Sequence, residues 1–259
     1  MAKTTGVCIL GVHIVNASQD AAVSQIELWL RNRARARSIF IANAHTLNLS
    51  ASSADYRQTL NSADRVYADG TGVRWAARLR GVRIKDNLVG TDLVPRVFKD
   101  LGGHGFRYFL LGARPQSIAA AAAYCTEHFP GWTLAGYSDG YVAGERTNEV
   151  IRQINESGAH LLLVGMGNPL QEQWIARHCD ALQVPVCIGV GGLFDHWSGN
   201  LKRAPEWVRR QGFEWLQILV QQPHKWRRYL LGNPLFLARI ALALPTDLLA
   251  ARAAARRAP

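Results

Sequence analysis

The sequence predicts an α/β protein: a parallel sheet flanked by helices, followed by a basic helical appendage. Three observations carry that prediction. Near-continuous apolar runs, the pattern of strands covered on both faces, alternate with helix-like segments. From about residue 105 the chain repeats strand, glycine turn and helix three times. Near residue 198 the composition changes, and the remainder is rich in arginine, tryptophan and leucine.

The elements follow in order. VCILGVHIV (7–15) is apolar throughout and reads as one strand. SQDAAVSQIELWLRNR (18–33) has a helical pattern, and SIFIAN (38–43) is the next strand. RVYA (65–68) is a short strand that ends before Asp69, Gly70, Thr71 and Gly72, where a helix opens. TDLVPRVFKDL (91–101) is helical, RYFLLG (107–112) a strand, and PQSIAAAAAYCTEHF (115–129) a helix. WTLAGY (132–137), HLLLVGMG (160–167) and VPVCIGVG (184–191) are strands. RTNEVIRQINES (146–157) and NPLQEQWIARHCDAL (168–182) are the helices between them, the second with Pro169 at its start.

The chain has 259 residues, enough for one full core or for a core with an appendage. Its formal charge of +11 points to an anionic partner: nucleic acid, acidic membrane or a phosphorylated ligand. Cys8, Cys125, Cys179 and Cys187 have no metal-ligand or redox-motif spacing and read as buried reduced thiols. The start MAKTTGVCILGV lacks the long apolar core of a signal peptide, and no clean apolar stretch reaches the ~20 residues of a membrane span.

From Asn200 onward the basic residues are Lys202, Arg203, Arg209, Arg210, Lys225, Arg227, Arg228, Arg239, Arg252, Arg256 and Arg257, opposed by Glu206, Glu214 and Asp247 alone. Trp207, Trp215, Trp226 and Tyr229 are interleaved. The division is therefore a core over 1–197 and a basic amphipathic appendage over 198–259. Aromatic rings beside cations suit an anionic membrane surface. The plainer alternative is a solvated basic face whose tryptophans pack on the core.

Parallel sheets bind ligands beyond the carboxyl ends of their strands. Three glycine turns fall there: LLGARPQS with Gly112, LVGMGNPLQEQW with Gly165, Gly167 and Gln171, and IGVGGLFD with Gly191, Gly192 and Asp195. Glycine lets backbone N–H groups approach phosphate, and three such turns at one edge suit a nucleotide diphosphate. Glycine there is equally explained by steric need. The third glycine and downstream acid of a dinucleotide fingerprint are missing, as are a Walker motif, any D-x-D and any metal-ligand cluster. The expectation is an enzyme without cofactor or metal, in which amides and Lys/Arg meet the diphosphate charge. Asp69 is either a turn residue or a carboxylate displayed as general base. Asp92 opens another helix, and capping is its stronger explanation. Asn43, His45 and Asn48 follow a strand and could line a sugar pocket, although His45 alone reads equally as a helix residue.

Taken in order, RVYADGTG, VGTDL, LLGARP, GMGNPLQEQWI and GVGGLFDHWSGNLKRAPEWVRRQGFEWL resemble the WecG/TagA/CpsF glycosyltransferase family (glycosyltransferase family 26), over about residues 7–235. The resemblance implies a Rossmann-like core with a C-terminal helical appendage. It implies inverting, metal-independent transfer from a UDP-sugar carrying N-acetylmannosamine, its uronic acid or glucose. The implied acceptor is a polyprenyl-diphosphate-linked sugar in cell-surface polysaccharide synthesis. The enzyme would then be cytoplasmic and peripheral on the inner face of the bacterial membrane. By the same resemblance Asp69 is the base, Gln171 lines the site, and Lys225 and Arg228 of the appendage engage phosphate; Arg203 is a further candidate contact in the basic stretch. Departures from the pattern are Ile41 for Thr, Asn87 for Arg, Ile218 for Arg and Gln222 for Glu. A homo-oligomer is compatible with the sequence. An oxidoreductase or epimerase and a nucleic-acid-binding module are the alternatives; the first lacks its fingerprint, and the second leaves the glycine turns unexplained, so no nucleic acid is expected.

Overall fold

A computed structural model describes the chain over residues 6–257. The side chains of Arg210, Arg252, Arg256 and Arg257, counted above among the basic residues, lie outside what it describes. The first apolar run is a hairpin instead of one strand. β1 (Gly6–Ile9) and β2 (Val12–Val15) pair antiparallel as a separate two-stranded sheet. The reversal is made by Leu10 and Gly11, both at positive φ (49° and 79°), the two-residue turn that matches strand twist. Alternation then puts Val7, Ile9, Val12 and Ile14 in the core. Cys8 faces outward, contrary to the buried thiol expected of it.

The main sheet is wholly parallel. Its strands are β3 (Arg37–Ala42), β4 (Arg65–Ala68), β5 (Arg107–Gly112), β6 (Thr133–Ser138), β7 (Leu161–Gly165) and β8 (Val186–Gly189), in spatial order β4-β3-β8-β7-β5-β6. Helices cover both faces: α1 (Gln19–Arg31), α2 (Ala44–Ser52), α3 (Ala54–Asn61), α4 (Thr71–Leu79), α5 (Gly90–Asp100), α6 (Pro115–His128), α7 (Glu145–Glu156), α8 (Leu170–His178) and the short α9 (Leu193–Trp197). Because both faces are covered, successive residues of one strand feed opposite cores. Leu161 and Leu163 join one apolar cluster, Leu162 and Val164 the other.

The helices α2 and α3 escape the apolar-periodicity reading because their sequence is largely polar. Their starts are set by side-chain caps: Asn43 Oδ1 accepts from Thr46 N–H at 3.1 Å, and Ser53 Oγ accepts from Tyr56 N–H at 3.2 Å.

The C-terminal segment comprises α10 (Glu206–Arg210), α11 (Glu214–Gln221), a 3-10 turn (Pro223–Lys225), a π-helical turn (Arg227–Leu231) and α12 (Gly232–Arg257). It is docked where β3 and β4 end. Phe236 and Ile240 are buried in the cluster that holds Leu47, Val73 and Ala77. Asn48 Nδ2 donates to Gly232 O at 2.7 Å, and Arg239 donates to Asn48 O at 2.5 Å and to Ser52 Oγ at 2.7 Å. Large apolar residues of the segment also remain open: Trp207, Phe213, Val220, Trp226, Leu231 and Leu242 are exposed. Among the described residues no helix is long and apolar enough to cross a membrane.

Candidate active site

Asp69 is the first residue beyond β4, and its backbone is held from two sides. Its N–H donates to Ala42 O at 2.9 Å, and the next N–H, of Gly70, donates to Asn87 Oδ1 at 2.7 Å. Gly70 turns the chain into α4 at φ 89°, a conformation open to glycine. Asn87, the departure from the family pattern noted above, thus braces the Asp69 turn. Asn43 does double duty: its oxygen caps α2, and its Nδ2 donates to Asp69 Oδ2 at 3.4 Å.

The Asp69 carboxyl is held above its ordinary range. Burial is the main cause, opposed by the Asn43 hydrogen bond. Glu214 and Asp92 push it further up, and Arg228 pulls it down. A carboxylate that binds its proton more firmly is a better general base near neutral pH.

The π-helical turn brings Arg228 and Tyr229 near enough to this aspartate for their charges to act on one another. Arg228 lies 5.4 Å from the Tyr229 ring centroid, and burial raises the Tyr229 phenol above its ordinary value. The Arg228 Nε is buried without a hydrogen-bond partner. Burial and Arg228 together lower the Lys225 ammonium. Among the described residues no carboxylate forms an ion pair with either cation. Both act on His45, whose imidazole is lowered to about 4, first by burial and then by Arg228 and Lys225. His45 is therefore neutral at pH 7. Lys225 and Arg228 are neighbouring cations with no ion-pair partner among the described residues, an arrangement suited to an anion.

Other residues that the sequence singles out are engaged within the protein. Arg203 donates to Asp92 Oδ1 at 2.5 Å, to Asp92 Oδ2 at 3.3 Å, to Thr91 O at 3.1 Å and to Glu214 Oε1 at 3.4 Å. It ties the tail to the start of α5. Asp92 also faces Arg209 Nη1 at 3.5 Å and caps no helix; the N-cap of α5 is Val89. Asn48 donates its amide N–H to Gly232 O at the start of α12. Asp195 sits in the first turn of α9, where its carbonyl accepts from Leu201 N–H at 2.9 Å and its carboxylate favours the charge on Lys225.

The glycine turns divide by cause. At Gly112 (φ 143°) a Cβ would strike the Gly165 carbonyl, and at Gly165 a Cβ would lie 2.6 Å from the Phe194 ring. Those two are steric necessities. Gly167 and Gly191 take positive φ (82° and 56°). The Gly191 N–H is already used: it donates to Gln171 Oε1 at 2.9 Å. The neighbouring Gly192 N–H makes no such bond among the described residues. Sequence reasoning placed Glu172 in the NPLQEQW turn beside Gln171 but gave it no role, and overlooked the bracing roles of Asn87 and Glu214. Only Glu172 carried a local signal, its place next to a glutamine already noted.

Among the described residues no three His, Cys, Asp or Glu gather to hold a metal. A surface hollow lined by Pro95, Phe98, Lys99 and Phe129 lies at the C-terminal ends of α5 and α6, on the sheet edge opposite Asp69.

At the carboxyl edge of a parallel α/β sheet, an aspartate thus stands near Arg228 and its neighbour Lys225, neither of which has an ion-pair partner among the described residues. The chain belongs to the glycosyl transferase WecG/TagA/CpsF family, whose model matches residues 7–247. It is 37% identical over 180 residues to the N-acetylglucosaminyldiphosphoundecaprenol N-acetyl-beta-D-mannosaminyltransferase of Bacillus subtilis strain 168, covering 68% of each chain. The protein of the same name from Bacillus spizizenii is 33% identical, with 83% of each chain covered. That from Staphylococcus aureus strain MW2 is 30% identical, with 93% of this chain and 94% of the relative covered.

Proposed function

We propose that this protein transfers N-acetylmannosamine from a UDP-linked donor to N-acetylglucosamine carried on a polyprenyl diphosphate. The relatives' names support that donor sugar and acceptor; nothing in them supports the uronic acid or glucose. The observation that carries the reading at the site is Asp69, held above its ordinary pKa and near Arg228, which with its neighbour Lys225 has no ion-pair partner among the described residues.

In this reading the acceptor hydroxyl gives its proton to Asp69 Oδ as its oxygen attacks the anomeric carbon. Attack comes from the face opposite UDP, and the anomeric configuration inverts. The bond to the UDP oxygen breaks, and Lys225, Arg228 and the Gly192 N–H stabilise the diphosphate as it leaves. Such electrostatic assistance is usually the larger contribution, and a positioned base adds about 10²–10⁴-fold. No metal has a role in this scheme. The exposed apolar residues of the tail, next to its cations, support docking on an anionic membrane, where the polyprenyl acceptor resides. In this reading the enzyme works peripherally at the cytoplasmic face of the membrane.

The test is a transfer assay with purified full-length protein and a short-chain polyprenyl-diphosphate N-acetylglucosamine. UDP-N-acetylmannosamine, its uronic acid and UDP-glucose are offered in turn, with and without EDTA. The expected result is an EDTA-resistant β-linked disaccharide product from the first donor. Preference for either of the others, or loss of activity on chelation, would overturn the corresponding part of the reading.

A further inference from the structure

The proton transfer assigned to Asp69 leaves one buried carboxylate without a task. Glu172 is fully enclosed at 0% exposure. An ionised carboxylate out of water is costly unless donors surround it, so its partners show what it is for. Tyr56 Oη donates to one of its oxygens at 2.9 Å. Asn168 Nδ2 and Gln171 Nε2 each donate to the other at 2.7 Å. The three donors come from α3, from the turn after β7 and from α8.

These bonds fix more than Glu172 itself. A glutamine that donates to Glu172 through Nε2 must turn its oxygen the other way, and Gln171 Oε1 accepts there from the Gly191 N–H at 2.9 Å. Gly189 leaves room for this amide, since a Cβ there would stand 3.0 Å from Gln171 Nε2. One arm of the network therefore sets the turn after β8, and the arm through Asn168 sets the turn after β7. Both turns border the carboxyl edge where Asp69 lies.

We infer that Glu172 is a positioning residue for the donor: acting through Gln171 and Asn168, it holds both turns in the shape that receives the UDP diphosphate. This rests on the donor reading above. The chemistry of the shell dictates the variants. All three partners point donors at the carboxylate, and only the Tyr56 hydroxyl can rotate to accept. Glu172→Gln therefore keeps every bond: its oxygen takes Asn168 and Gln171, and its NH₂ donates to Tyr56. Glu172→Leu leaves three donors unpaired and frees the Gln171 amide to flip.

UDP is titrated calorimetrically into the full-length wild type, Glu172→Gln, Glu172→Leu and a core control remote from the edge, Ile154→Ala, with melting temperatures recorded for each. The expected result is UDP affinity within about threefold of wild type for Glu172→Gln and a loss of about tenfold or more for Glu172→Leu. Ile154→Ala should bind UDP as wild type does despite its lower melting temperature. Should Glu172→Leu fail to fold, the double variant Tyr56→Phe/Glu172→Gln serves instead, because its NH₂ then has no acceptor and UDP binding should weaken beyond that of Glu172→Gln. Wild-type affinity in whichever of these two variants folds, or an equal loss in Ile154→Ala, would overturn the inference. A wild-type protein that binds no UDP would overturn the donor reading and this inference with it.

Discussion

Asn43 and Asp69 meet at the ends of neighbouring strands: the amide whose oxygen caps α2 donates its N–H to Oδ2 of the aspartate, at 3.4 Å. The cap fixes the amide plane, so the carboxylate is steadied by a residue that cannot turn away without uncapping a helix. Replacing Asp69 by Asn should reduce turnover by about 10²–10⁴-fold and leave UDP affinity near wild type. The same change should raise stability at neutral pH. A carboxyl whose folded pKa lies above its unfolded value contributes stability that is fully present below the unfolded pKa. That contribution is lost as pH rises through the folded one. Ionised Asp69 is therefore a strain on the fold at pH 7. Melting temperature should rise by about 2–4 °C in Asp69→Asn at pH 7, with the gain shrinking at acid pH. Near-wild-type turnover would remove Asp69 from its role.

The acid limb of the pH profile carries a second expectation. Because the Asp69 carboxyl is raised, activity should begin to fall at a pH above the ordinary aspartate range of about 3.9. Glu214 contributes to that rise as a like charge. Glu214→Gln should move the acid limb of kcat/KM to lower pH. An unmoved limb would mean that the group titrating there is not Asp69.

His45 reports on the cation pair directly. With its pKa at about 4 in the free protein, it should stay neutral in an NMR titration from pH 8 down to pH 5. A diphosphate between it and Lys225 and Arg228 would offset their charge, so saturating UDP should raise the value. Arg228→Ala should also raise it. For stability the sign is opposite to that of Asp69. A lowered histidine contributes stability above its unfolded value of about 6.5, and this is lost as pH falls toward 4. An imidazole titrating near 6.5 in the free enzyme would separate His45 from those cations.

What was legible in the sequence follows from where burial is complete. Strands β4 and β5 coincide with the runs RVYA and RYFLLG because both faces of each are covered and every position after the leading Arg65 and Arg107 is buried. The hairpin was hidden by the same rule, since Leu10 and Gly11 continue an apolar run while reversing it. Asp69 stood out because an acid between a strand and a glycine turn is visible locally. Arg203 and Asn48 read as ligand contacts, and the structure adds bonds between tail and core to partners 111 and 184 residues away. Tyr56 and Glu172 are 116 residues apart. Pairings at such separations have no period to detect. Ile41, a departure from the family pattern, fills space instead: a Cβ on Gly90 would come 3.3 Å from its Cδ1.

The tail bears on one further expectation, about membranes. Deleting residues 200–259 is a poor test of membrane docking, because it would also strip Phe236 and Ile240 from the core. Substitutions at exposed residues avoid this. Trp207, Val220 and Leu242 are 65%, 73% and 80% exposed, so serine at all three should leave the melting temperature nearly unchanged. Each side chain that enters the lipid boundary contributes up to about 1.5–3 kcal/mol, so the triple variant should partition onto anionic vesicles at least ~10-fold more weakly than wild type. Salt should weaken wild-type binding as well, because Lys and Arg of the same segment meet the lipid headgroups. Sedimentation with phosphatidylglycerol vesicles, against phosphatidylcholine as control, measures both effects. Equal pelleting of variant and wild type would move the membrane contact away from this surface and leave its exposed tryptophans for a protein partner.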